Sequence, residues 1–290
     1  RVRVEDLLRG IIVLSGNDAC VVIAEALSPD GTEAGFARMM TERGKEIGMT
    51  NSIFQNASGW PAAGHRMSMK DLTILADYML TEFPTYYPLF AEEEYAFDDR
   101  APSNTRNRTP LLGSIPGADG LKTGHTQEAG YGLVGAARQG DRRIIFTITG
   151  LDTAADRAQE SEKILNWAFR QFAARTVSEA GTRIAEAQVH MGAAPVVGLT
   201  PAEDLKLLIP AVGASALSAE VRYLGPVEAP IAAGQELARL VVTVPGFEDR
   251  EVPLVATEAV AVGGFMPRMR AAFAAVLRQM QGAQGAGTAS

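Results

Sequence analysis

The chain has 290 residues, 47% of them hydrophobic and 21% charged, with a formal net charge of −7. This is globular composition, enough for one large domain or two ordinary ones, and it excludes a disordered chain. The acidic balance argues against nucleic acid as a partner, which needs clustered Lys and Arg, and no apolar run reaches the ~18 residues of a membrane-spanning helix.

The chain opens on "RVRVEDLLRG", with no initiator Met and no leader, and is expected to be cut at its N-terminus. Leu7, Leu8, Ile11 and Ile12 fall at helical spacing, and the pattern predicts helix over 5–27. Ser28, Pro29 and Asp30 are helix-start residues, followed by Phe36, Met39, Met40, Arg43 and Ile47 on one face. "NSIFQNASGWPAAG" is a turn-rich loop. Leu72, Leu75, Ala76 and Met79 predict a further helix, stopped by Pro84.

From 86 to 150 the pattern shifts to strands. "YAFDD" is a short one, and "GYGLVGAARQGDRRIIFTITG" reads as strand, turn and strand, a hairpin. Helix returns over 155–173. After about residue 175 short strands broken by Gly and Pro predict a small all-β domain. The last pattern is an amphipathic helix over 264–280, with Phe265, Met269, Phe273, Val276 and Met280 on one face. Arg268, Arg270 and Arg278 are its only charges, which suits an anionic membrane surface or, equally, a packing partner. The tail "GAQGAGTAS" is linker-like.

Chemistry has few carriers. Three histidines, no H-E-x-x-H and no C-x-x-C give no metal motif, so no metal or cofactor is expected. The single cysteine, Cys20, sits in an apolar run and reads as a small core residue. There is no G-x-S-x-G elbow and no phosphate-binding loop. Two short patterns remain: Ser15-Gly16-Asn17 (S-x-N) and Lys122-Thr123-Gly124 (K-T-G). With S-x-x-K, this pair marks serine acyl transferases that react with penicillin. Acyl transfer by serine needs a base, a proton shuttle and help for a developing oxyanion. S-x-N at a helix boundary would turn a hydroxyl and an amide toward a cleft. K-T-G at the head of a strand would bring an ammonium and a hydroxyl, and its glycine would let a peptide lie along the strand edge. Taken singly, each triplet reads as readily as a turn cap or an edge lysine.

The context decides between these readings. "LLRGIIVLSGNDACVVIAEAL", "IGMTNSIFQNASGW", "SMKDLTILADYML", "DGLKTGHTQEAGYGLVGAA" and "RAQESEKILNWAFRQF" together resemble the D-alanyl-D-alanine carboxypeptidases, the low-molecular-mass serine-type penicillin-binding proteins. The resemblance covers nearly the whole chain. It implies an α/β (α+β) transpeptidase-like domain over 1–174, incomplete at its N-terminus, then a small all-β domain over 175–262, then the amphipathic helix and tail over 263–290. It also implies a catalytic role for Ser15, Asn17 and Lys122, and substrate binding by Lys122, Thr123, Gly124, His125 and Arg157. The substrate would be the peptidoglycan stem peptide, losing its terminal D-alanine, with β-lactams as acylating mimics. The place would be the periplasmic side of the bacterial inner membrane, held there through 264–280.

One departure stands out. No serine here has a lysine three places on, and Ser68-Met69-Lys70 has the wrong spacing. The S-x-x-K nucleophile is expected to precede Arg1. The 290 residues alone are then expected to be inactive, and poorly stable in their first domain, whose strands at 129–150 would have an unpaired edge and an uncovered face. A non-catalytic cell-wall or peptide-binding module and a β-lactamase-like hydrolase are the alternatives.

Overall fold

The apolar run at 5–27 forms two helices, not one: α1 (Val4–Ile12) and α2 (Asn17–Leu27). Between them Val13 and Leu14 are buried, and Ser15 turns the chain at φ 57°. A side chain in this left-handed region costs roughly 1–2 kcal/mol. No proline marks the break, so periodicity ran straight across it. The computed structural model describes residues 1–97, 102–210, 218–243, 248–265 and 269.

Helix α3 (Glu33–Glu46) begins later than Ser28, because Thr32 is its cap and its Oγ1 accepts from Gly35 N at 2.9 Å. Asp30 is occupied instead by the hydroxyls of Ser28 and Thr32, both at 2.7 Å. Helix α4 (Met69–Glu82) is capped by Ser68, whose Oγ accepts from Asp71 N at 3.0 Å. The near-miss Ser68-Met69-Lys70 is therefore a helix start. Strand structure does not begin at 86: Tyr87–Ala91 is a 3-10 turn with Pro88 in its first positions. Around Tyr95 the described residues show only an isolated bridge, Glu94 to Arg106, and the end of "YAFDD" lies outside the described residues.

Three antiparallel strands follow in the order β1-β2-β3: β1 (Ala118–Thr126), β2 (Gly130–Gln139) and β3 (Arg142–Leu151). The β2–β3 hairpin is the one expected. Lys122, however, lies inside β1 and not at the head of a strand. Side chains alternate between the two faces of this sheet. Val134, Ala136 and Ile145 pack with Ile12, Val13, Leu14 and Ala76 from the α1 and α4 side. Leu133, Ala137 and Phe146 pack with Leu111 and with Leu165 of α5 (Ala154–Gln171). Both faces are covered, so the uncovered face expected for these strands is not found, because α1 and α4 fill one side and α5 the other; among the described residues both outer edges lack a neighbouring strand.

The chain divides into two compact units, Arg1–Arg170 and Gln171–Ser290. Phe172 and Ala173, expected in the helix, open β4 (Phe172–Ser178), which pairs with β7 (Leu205–Pro210). The other strands of the second unit are β5 (Ala185–His190), β6 (Val196–Pro201), β8 (Ser218–Arg222), β9 (Val227–Glu228), β10 (Glu236–Thr243) and β11 (Arg250–Ala256). They form a sheet in the order β8-β10-β11-β6-β5-β9 around a core that includes Val197, Leu199, Leu240 and Leu254. Of the helix expected over 264–280, all but the first two residues and Met269 lie outside the described residues; Phe265 and Met269 are exposed. Among the described residues no helix is long and apolar enough to cross a membrane.

Candidate active site

Lys122 stands opposite Val134 in the β1–β2 register, and Val134 packs on the same side as Val13 and Leu14. The lysine thus faces the turn between α1 and α2. There Lys122 Nζ donates to Ser15 Oγ, and also to its own strand at Thr123 O, 3.1 Å away. The two triplets, 107 residues apart in sequence, meet through this contact. The turn that presents Ser15 is itself held: Gly16 N donates to Gly10 O at 2.9 Å, and Asn104 Nδ2 donates to Leu14 O at 3.4 Å. Asn17 is exposed as the first residue of α2.

Burial pushes the Lys122 ammonium from its ordinary 10.5 down to about 8; the charge of Arg108 pushes the same way, Cys20 opposes it, and Arg157 adds a smaller push. A lysine poised there can both hold and yield a proton near neutral pH. Lys122 and Arg157 have no acidic partner among the described residues, and Arg108 donates to a neutral amide, Asn104 Oδ1, at 3.2 Å. Three cations with no carboxylate partner among the described residues make a field that attracts an anion. Cys20 is only partly buried and close enough to feel Lys122, so it borders this site and is not a plain core residue.

Thr123, Gly124 and His125 continue along the outer strand. Gly124 and His125 are exposed and Thr123 is partly so. A methyl group added at Gly124 would meet no heavy atom within 4 Å. The protein's own packing leaves that space open, as a peptide lying along the strand edge would require. His125 stacks on Tyr131, its partner across the β1–β2 pair, with ring centroids 3.9 Å apart. Arg157 comes from α5, is only 8% exposed, and lies over the same Tyr131 ring at 5.6 Å. It is not on a solvated helix face. Among the described residues its side chain makes one hydrogen bond, from Nη2 to Arg108 O at 3.5 Å, and its buried Nε has no partner.

The structure therefore brings Ser15 and Lys122 together at the middle of β1, and links His125 to Arg157 through Tyr131. Sequence reading did not single out Tyr131, Arg108 or Asn104. The signal for Tyr131 was the short β1–β2 turn, which sets it directly across from His125; nothing local announced the other two. Among the described residues no group of three His, Cys, Asp or Glu side chains could hold a metal ion.

Residues 1–153 match the family D-alanyl-D-alanine carboxypeptidase, and residues 172–262 match the penicillin-binding protein 5 C-terminal domain. The chain is 34% identical over 270 residues to the D-alanyl-D-alanine carboxypeptidase DacC of Escherichia coli, covering 93% of this chain and 66% of that one. It spans about two thirds of the length of the curated relatives it matches. Penicillin-binding protein 5 from Haemophilus influenzae superposes with a TM-score of 0.76 at 31% identity, over 90% of this chain and 75% of that one. Penicillin-binding protein D2 from Listeria monocytogenes, solved in an ampicillin-bound form, superposes with a TM-score of 0.51 at 32% identity, over 57% of this chain and 67% of that one. A match over more than half its length, carried by S-x-N and K-T-G in contact, places this chain in the D-alanyl-D-alanine carboxypeptidase family of serine-type peptidases.

Proposed function

We propose that these 290 residues carry the proton-relay and substrate-binding part of a penicillin-sensitive D-Ala-D-Ala carboxypeptidase. The observation that carries the proposal is the contact of Lys122 Nζ with Ser15 Oγ beside an open strand edge. The stem peptide would lie along β1, with its terminal carboxylate at Thr123 and in the field of Lys122, Arg108 and Arg157. The serine of an S-x-x-K segment would attack the penultimate D-alanine carbonyl. The C–N bond would break, and the departing D-alanine amine would take its proton through Ser15 and Lys122. Water would then cleave the ester, returning the serine hydroxyl and releasing the shortened peptide. Asn17 would hold the substrate amide. β-Lactams would acylate the same serine.

No such serine occurs in the 290 residues, so they are inactive alone in this proposal. The test compares this chain with the protein translated from its upstream reading frame, using an N-acylated tripeptide ending in D-Ala-D-Ala. The longer protein is expected to release D-alanine and to bind fluorescent penicillin covalently. Lys122→Ala should lower its turnover by about 10²-fold or more. The 290-residue chain should do neither. A covalent penicillin adduct on it would overturn the assignment of the nucleophile, and no D-alanine from the longer protein would overturn the activity. A peptide-binding module without chemistry is the second reading, favoured by the same missing S-x-x-K. It predicts that the upstream frame holds none.

The segment 264–280 supports a further part of the proposal, attachment to the periplasmic face of the inner membrane. Its bulky apolar residues and three arginines suit an anionic bilayer. Flotation with anionic liposomes should be lost on removing residues 263–290, and equal flotation would sink the idea.

A further inference from the structure

His125 and Arg157 arrive at the site from different elements, β1 and α5, and neither is fastened by a strong hydrogen bond. Among the described residues, no hydrogen bond holds the His125 imidazole. Arg157 has one long bond, to Arg108 O at 3.5 Å, and a buried Nε without a partner. What both side chains share is one ring. His125 stacks on Tyr131 at 3.9 Å with 33° between the planes, and the Arg157 guanidinium carbon lies 5.6 Å from the same centroid. Tyr131 is itself fixed by backbone pairing on both sides, to His125 on β1 and to Leu151 on β3. An aromatic pair and a desolvated cation–π contact are each worth about 1 kcal/mol, enough to select one rotamer over another.

We propose that Tyr131 is the positioning residue of the substrate site: its ring sets the His125 imidazole and the Arg157 guanidinium in register at the far end of the open β1 edge. The proposal rests on the carboxypeptidase reading for what binds there, but not for the arrangement itself. The ring face is what matters. The hydroxyl makes no hydrogen bond to either residue, so phenylalanine should substitute for tyrosine.

Two readouts test this and can fail separately from the proposed function. The first uses the 290-residue chain and needs no turnover. Of its three histidines, His125 alone stacks on Tyr131. In Tyr131→Leu the His125 ring resonances should lose their ring-current shift, with His65 and His190 unmoved, and in Tyr131→Phe all three should stay in place. The second uses the protein translated from the upstream reading frame. Tyr131→Leu should raise KM for the D-Ala-D-Ala tripeptide by about tenfold with a smaller change in kcat, and Tyr131→Phe should restore KM. If Tyr131→Leu does not fold, Tyr131→Met, whose unbranched side chain adapts more readily at this partly exposed position, takes its place. Unmoved His125 resonances or an unchanged KM in a folded variant would overturn the proposal. A moved His125 signal with no D-alanine release would retain the arrangement and overturn only the activity.

Discussion

Lys122 is the residue on which the site turns, and its ionisation is coupled to the fold. Burial holds its pKa near 8 in the folded chain, against 10.5 for an ordinary lysine. Between those two values the unfolded chain binds more protons than the folded one, so stability rises with pH across that window. Below pH 8 both forms are charged, and the folded chain carries the full cost of burying an ammonium. Lys122→Met removes that cost. It should be more stable than wild type by about 1–2 kcal/mol at pH 7, with the gain shrinking to nothing as pH approaches 10.5. Thermal melts at a series of pH values read this directly; a variant less stable than wild type at pH 7 would show that the Ser15 contact outweighs the burial. Activity of the longer protein should fall in the same variant, as expected where a site is held together at some cost in stability.

At the scale of elements, β1 separates what the fold needs from what the site needs. Leu121 is buried in the core at 3% exposure, whereas Gly124, three residues on, meets nothing. Gly124→Val should therefore leave the unfolding free energy nearly unchanged, within about 0.5 kcal/mol, and should sharply weaken binding of a D-Ala-D-Ala peptide to the strand edge. Calorimetric titration checks the second half. The same contrast explains what the sequence disclosed. S-x-N and K-T-G are local strings, and their residues could be named from them. The break between α1 and α2 could not, because Ser15 reaches its left-handed turn without proline, under the demands of buried Val13 and Leu14. Tyr131 and Arg157 could not be joined either, since their contact depends on a strand pairing and a helix docking that no short pattern encodes. β4 was hidden because Phe172 and Ala173 extend the apolar rhythm of α5, and only pairing with β7 makes them strand.

At the scale of the whole molecule, two units with separate cores predict two thermal transitions by scanning calorimetry. Asp71 provides a marker for the first. It is fully buried, accepts from Asn51 N at 2.8 Å and Ser52 Oγ at 2.7 Å, and so ties α4 to the start of the turn-rich loop at 51–64. Burial alone would raise its pKa, but hydrogen bonds from Ser52 and then Asn51 hold it below the ordinary 3.8. Its contribution is present above that value and is lost as pH falls through the lower folded one. Asp71→Ala should cost about 2–3 kcal/mol at pH 7 and shift one transition while leaving the other in place. A single transition, or a shift in both, would contradict independent units.

The open edge of β1 has a cost that falls outside chemistry. A strand edge that in the proposed function takes a peptide is equally open to a second copy of itself, since backbone groups do not distinguish guests. Whatever crowds these chains together sets their own edges in competition with the substrate, and an occupied edge is a protected one. The ligand would then serve as its host's guardian against self-association, so that a starved population of the protein is also the one most exposed to clumping.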